Sequence, residues 1–306
     1  MTAEKTVFLF SGQGSQYAGM GVSLVEKYPE LKAIFDEAAD ILGFDLYGKC
    51  AEASDEELAK TVISQPAIMA VSLCAAEALR INGITATAAA GHSLGEYAAM
   101  VYTGMVSRAD GFKLIKARSE AMQKAAETNK GAMYAIIGKS VEEIEKVCEE
   151  TEGYVLPVNY NSSVQTVIAG EENAAKAAAD ILAAAGARAI KLNVASAFHS
   201  KLMQSAADEF KPAAEKIAFA EPKIKMFSNI TGKELDSIEN MPESLAKHIV
   251  SPVRFTDELA ALNALGYDTF IECGPNKVLS GLVKKTLKGV NIANVQDADS
   301  LAKTIG

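Results

Sequence analysis

In Gly91-His92-Ser93-Leu94-Gly95 a serine stands between two glycines at G-x-S-x-G spacing. A serine hydroxyl is a weak nucleophile at neutral pH, so catalysis there needs exposure, a base and donors for an oxyanion. The glycines meet the first need. Lacking side chains, they let backbone close in on a tightly turned serine, leaving Oγ exposed and the Leu94 N–H aimed at the developing charge. Three fixed residues in five also arise by chance, and a loop around a buried serine fits the pattern equally well. A strand before the serine and a helix after it favour the catalytic reading. Of the three histidines, His92 adjoins the serine and points elsewhere at such a turn, so His199 and His248 are the candidate bases. His199, in Ala197-Phe198-His199-Ser200, lies where the chain passes between two lobes, a common cleft wall. His248 sits in a helical stretch, 244–250, where a surface or capping imidazole is the plainer expectation.

These residues must be positioned by elements that the same sequence specifies. Residues 7–10, Val-Phe-Leu-Phe, form a short apolar strand broken by Ser11-Gly12-Gln13-Gly14-Ser15-Gln16, which puts Gln13 at a strand end. Helical periodicity runs over 31–42 and 66–80, with Pro66 in the first turn of the second. Residues 86–90 are alanine-rich, a composition that favours helix. A buried strand there nevertheless suits the sharp turn at Ser93 and the helical pattern over 96–102. From Met133 the rhythm changes to a strand at 133–137, a helix opened by the capping box Ser140-Val141-Glu142-Glu143, strands at 155–159 and 166–169, an alanine-rich helix over 172–185 and a strand at 187–192. That βαββαβ order is ferredoxin-like, and its ends return to one place. The expected fold class is therefore α/β, with residues 130–193 inserted into a host made of 1–129 and 194–306. The host resumes with a helix over 200–219 broken near Pro212, strands at 225–228 and 269–272, and a helix over 277–287.

Composition narrows the function. A chain of 306 residues with 49% hydrophobic side chains buries a sizeable core. The start Met1-Thr2-Ala3-Glu4-Lys5 lacks a secretory pattern, and no window approaches eighteen uninterrupted apolar residues, so a protein without membrane association is expected. Cys50, Cys74, Cys148 and Cys273 are widely spaced, as in a reducing cytoplasm. The histidines share no metal-ligand spacing, so no metal is expected. A net charge of −9 argues against general nucleic-acid binding.

The chain resembles the malonyl-CoA:acyl-carrier-protein transacylase family along nearly its full length. The resemblance is carried by Phe10-Ser11-Gly12-Gln13-Gly14-Ser15-Gln16, Gly91-His92-Ser93-Leu94-Gly95-Glu96-Tyr97, Arg118, Asn159-Tyr160-Asn161-Ser162, Phe198-His199-Ser200, Ser251-Pro252-Val253-Arg254-Phe255 and Glu272-Cys273-Gly274-Pro275. It implies an α/β-hydrolase-like large subdomain carrying the ferredoxin-like insert. It further implies that Ser93 attacks a malonyl thioester, that His199 is the base, and that the N–H groups of Gln13 and Leu94 hold the oxyanion. The carbonyl that orients His199 would be that of His248. Arg118, which by residue type alone reads as an exposed helical arginine paired with Glu120 or another surface acid, would hold the malonyl carboxylate bidentately.

The resemblance also implies malonyl-CoA as substrate, no permanently bound cofactor, and holo acyl carrier protein as partner, in fatty acid or polyketide synthesis. Leu94 and the Ala-Phe-His run ending at His199 resemble malonyl-selecting features of polyketide acyltransferases, although Ser196 departs from the histidine common there. Phe198 is otherwise an ordinary core aromatic. Asn161 is a candidate at the edge of the site, or turn chemistry between two strands. An acidic carrier needs a basic patch on an acidic enzyme, and Lys284, Lys285 and Lys288 form the candidate, unless they only complement a helix C-terminus. The competing classes are a serine thioesterase and an inactive carrier-binding module.

Overall fold

The structure is a computed structural model in which residues 5–194 and 196–306 are described. The opening residues 1–4, expected above to carry no secretory pattern, lie outside the described residues.

β1 (Thr6–Phe10) and β2 (Ala88–Gly91) are buried at every residue, as strands covered on both faces must be. Along β1 the side chains alternate. Phe8 and Phe10 join one apolar cluster, while Val7 and Leu9 join another. Four strands follow, β3 (Ala132–Ile137), β4 (Val155–Ser162), β5 (Gln165–Gly170) and β6 (Arg188–Lys191). The chain then adds β7 (Lys225–Ser228), the short β8 (Lys233–Glu234), β9 (Thr269–Cys273) and β10 (Asn291–Val295). One sheet has the order β10-β9-β1-β2-β7-β8 and is parallel except for its last pair. The other, β4-β5-β3-β6, is antiparallel throughout. β4 is tied to the other part of the chain where Val253, between two helices, donates its N–H to the Val158 carbonyl (2.8 Å) and accepts at its carbonyl from the Tyr160 N–H (2.9 Å).

Parallel pairing decides the alanine run. Ala88, Ala89 and Ala90 lie against Val7, Phe8 and Leu9, with Lys225 and Met226 opposite, so tertiary context overrides helix propensity. β2 ends at Gly91, and helix Gly95–Thr103 starts four residues later, which leaves Ser93 at the bend.

Two expectations need correction, and two elements went unassigned. The helix holding Pro66 starts at Thr61 and runs to Ile81, so Pro66 lies inside it, beyond the first turn, and leaves the Val62 carbonyl without its helical donor. That helix is long and apolar enough to cross a membrane by length and composition, yet 89% of its most apolar window is buried within the protein. The expected helix over 200–219 is a 3₁₀ turn, Lys201–Met203, followed by Gln204–Ala214, which ends two residues past Pro212. Finally, β10 and the closing helix Ala298–Ile305 carry patterns that the sequence reading left unassigned.

Candidate active site

Ser93 has φ 54°, a left-handed conformation that costs a residue with a Cβ about 1–3 kcal/mol. The flanking glycines make the bend sterically feasible. A Cβ on Gly91 would lie 2.1 Å from the carbonyl carbon of Gly95, and one on Gly95 would lie 2.2 Å from the Phe10 oxygen. Both obstacles are backbone, so neither can swing aside. Gly12 has a similar function in the preceding loop, because a Cβ there would meet the His92 carbonyl at 2.7 Å.

The loop after β6 brings His199 to the serine. Its Nε2 lies 2.7 Å from Ser93 Oγ, and its Nδ1 lies 3.1 Å from the His248 carbonyl and 3.0 Å from the Ser251 carbonyl. Carbonyls only accept, so Nδ1 carries the proton and Nε2 presents a lone pair to the serine O–H. Burial, followed by the charge of Arg118, pushes the His199 pKa down to about 3. The imidazole is thus neutral at physiological pH, as a base must be. The expected carbonyl of His248 is joined by that of Ser251, which sequence reasoning missed. The His248 ring, expected at the surface, is fully buried, with Nδ1 3.0 Å from Glu96 Oε2.

Arg118, on helix Arg108–Thr128, is also fully buried, against the residue-type expectation of an exposed arginine paired with Glu120. Nη2 donates to Ser93 Oγ (3.1 Å), Nη1 donates to Gln65 Oε1 (2.8 Å), and the guanidinium lies 5.4 Å from the centre of the Tyr97 ring. Its Nε has no hydrogen-bond partner, and no carboxylate forms an ion pair with it among the described residues. A cation removed from water without an anion is costly, so the site favours a ligand that brings a carboxylate.

Gln13 occupies the loop after β1, where its Oε1 accepts from Gln65 Nε2 at 3.3 Å. The backbone N–H groups of Gln13 and Leu94 have no acceptor among the described residues, so both are available to an oxyanion. Gln65 thereby links the Arg118 end of the site to the Gln13 loop. The signal for it was a polar residue within the apolar run Ile63–Val71, which no surface role explains.

Asn161 lies on β4, not in a turn, and its Oδ1 is 2.8 Å from His92 Nε2. Among the described residues it reaches the serine turn through the His92 ring. Phe198 is buried in the core beside His199. Lys284 and Lys285 are exposed in the last turn of helix Val278–Thr286, and Lys288 is exposed just beyond. Lys284 and Lys288, with Lys277, border an open groove of about 790 Å³. None of the three expected docking lysines has an ion-pair partner among the described residues, and Lys285 offers its carbonyl to Ser163 Oγ from the four-stranded sheet.

Known proteins are similar to this chain over nearly its full length. The acyl transferase domain family matches residues 7–305. The malonyl CoA-acyl carrier protein transacylase of Bacillus subtilis is 37% identical over 98% of this chain and 96% of its own length. The crystal structure of the corresponding transacylase from Clostridium perfringens superposes with TM-score 0.94 at 37% identity, covering 98% of this chain and 96% of that one. A malonyl-transacylase solved in complex with its type II PKS acyl-carrier protein gives TM-score 0.94 at 37% identity, with 99% of each chain covered.

Proposed function

Because the chain belongs to the acyl transferase domain family, among its malonyl CoA-acyl carrier protein transacylases, we propose that it carries the malonyl group as an ester on Ser93. The enzyme transfers malonyl from malonyl-CoA to the phosphopantetheine thiol of holo acyl carrier protein, supplying extender units for fatty acid or polyketide synthesis.

In the first half-reaction Ser93 Oγ attacks the thioester carbonyl while its proton passes to His199 Nε2. The carbonyl oxygen becomes an oxyanion, and the N–H groups of Gln13 and Leu94 hold it. The carbon–sulfur bond then breaks, and the departing coenzyme A sulfur takes the proton from His199. In the second half the carrier thiol gives its proton to His199 and attacks the ester. The carbon–oxygen bond breaks, and Ser93 recovers its proton.

Arg118 selects the acyl group, and the observation that carries this is its complete burial without an anion. Malonyl supplies the missing carboxylate, and an acetyl group does not. A cleft of about 520 Å³ bordered by Gln13, Gln16, Tyr17, Leu58, Lys191 and Val194 supports an approach for the pantetheine arm between the two sheets. The strand order β4-β5-β3-β6, with a helix after its first and third strands in chain order, supports a ferredoxin-like insert at 130–193 in an α/β-hydrolase-like host. Four buried free cysteines suit a reducing cytoplasm.

The test is a panel of acyl-CoA donors with holo acyl carrier protein. The wild type should prefer malonyl-CoA, and Arg118→Ala should lose malonyl transfer by roughly 100-fold or more while acetyl transfer stays level or rises. Equal loss on both donors would remove Arg118 from substrate selection.

A further inference from the structure

Asn229 follows β7 directly and is fully buried. Because β7 pairs with β2, the residue comes to rest beside the end of β2, under the serine turn. All of its polar groups are engaged. Oδ1 accepts from the Ser93 N–H (2.7 Å), while Nδ2 donates to the Gly91 carbonyl (2.7 Å) and to Glu258 Oε1 (3.0 Å). Its backbone N–H donates to Glu96 Oε1 (2.5 Å), and its carbonyl accepts from the Arg254 N–H (2.9 Å). The side-chain amide thus grips the chain on both sides of His92 and ties it to helix Phe255–Ala264, while the backbone N–H ties it to helix Gly95–Thr103.

We propose that Asn229 is the positioning residue of the nucleophile turn, fixing the strained Ser93 backbone so that Oγ meets His199 and the Leu94 N–H meets the oxyanion. The proposal rests on the reading of Ser93 as nucleophile. The Leu94 N–H belongs to the peptide plane that begins at Ser93, so the two alignments share one set of dihedrals. A left-handed serine relaxes unless its surroundings over-determine it. Asn229 supplies that constraint from outside the turn and touches no reacting atom.

The test uses the full-length protein and a fluorophosphonate, a probe that needs no malonyl recognition. Ser93 Oγ forms the bond to phosphorus, the phosphorus–fluorine bond breaks, fluoride leaves, and the serine proton passes to His199. Asn229→Ala should lower both the rate constant of labelling and kcat for malonyl transfer by about 100-fold, with KM for malonyl-CoA within about twofold. A residue that merely supported folding would reduce the amplitude and leave the rate constant of the surviving fraction unchanged. Should Asn229→Ala not fold, Asn229→Asp carries the test at pH 6. The introduced carboxyl still accepts from the Ser93 N–H and loses at least one of the two bonds that Nδ2 makes to the Gly91 carbonyl and Glu258. Its rate constant should fall about tenfold. Labelling at the wild-type rate constant in the folded variant overturns the proposal. Wild type that resists labelling overturns the reading of Ser93 itself, and the two failures are distinguishable.

Discussion

At the scale of single residues, the site is an arrangement of charges that waits for one more. Arg118 donates to Ser93 Oγ and, after burial, its charge depresses the basicity of His199. In the proposed reaction a bound malonyl carboxylate would neutralise that charge, so the correct substrate would both satisfy the arginine and strengthen the base. The acidic limb of kcat/KM reports the free enzyme, where the His199 pKa is pushed down to about 3. Transfer measured from pH 4 to pH 8 should therefore keep most of its kcat/KM at pH 5.5, and a half-point near 6.5 would contradict the assignment. Stability follows with a defined sign. Between about 3 and the unfolded value of 6.5 the unfolded chain binds the proton and the folded site does not, so this contribution is present above 6.5 and lost as pH falls toward 3. Glu96 works in the opposite sense, since burial raises its pKa to about 8 and its neutral form favours folding below that value. Replacing it, as Glu96→Gln, should reduce the loss of stability between pH 5 and pH 8 in urea unfolding. An unchanged pH slope would place its proton elsewhere.

At the scale of elements, the serine turn depends on two contacts between backbone segments. Gly95→Ala should destabilise the protein by about 3 kcal/mol in urea unfolding, because its Cβ collides with the Phe10 carbonyl of β1. Gly281→Ala is the control. A Cβ there meets nothing within 4 Å, and alanine in that helix should be neutral or gain up to about 1 kcal/mol. Equal effects at the two positions would deny the turn its steric basis. These glycines were legible in the sequence because their spacing is local. So were the capping box at Ser140 and Glu143 and the apolar run of β1, each written within a few neighbouring residues. Asn229 was not legible, since its role arises from β2 lying beside β7, and 136 residues separate it from Ser93. The burial of Arg118 and of the His248 ring was hidden for the same reason. Residue type describes an average exposure, and only the packing of distant helices overrides it. The late part of the host was read least well because Pro212 sits inside its helix and β10 alternates poorly, with exposed and half-buried residues before Val295.

At the scale of the whole molecule, an enzyme with net charge −9 needs a local basic patch to receive a carrier protein as acidic as the family resemblance implies. Lys284, Lys285 and Lys288 project into solvent without acidic partners among the described residues, and Lys284 and Lys288 line a groove along β10. Reversing all three charges should raise KM for the carrier protein by about tenfold or more and leave KM for malonyl-CoA near its original value. Equal changes in both constants would move the docking surface elsewhere. The two sheets, the bridge at Val253 and the loop carrying His199 together exist to bring one serine, one imidazole and one guanidinium within hydrogen-bonding distance. Intact-mass analysis after incubation with malonyl-CoA tests that claim most directly. The wild type should gain one malonyl group, mapped to Ser93 and discharged on adding holo acyl carrier protein, and Ser93→Ala should gain none. A wild type that stays unmodified, or a Ser93→Ala variant modified to the same extent, would contradict the account.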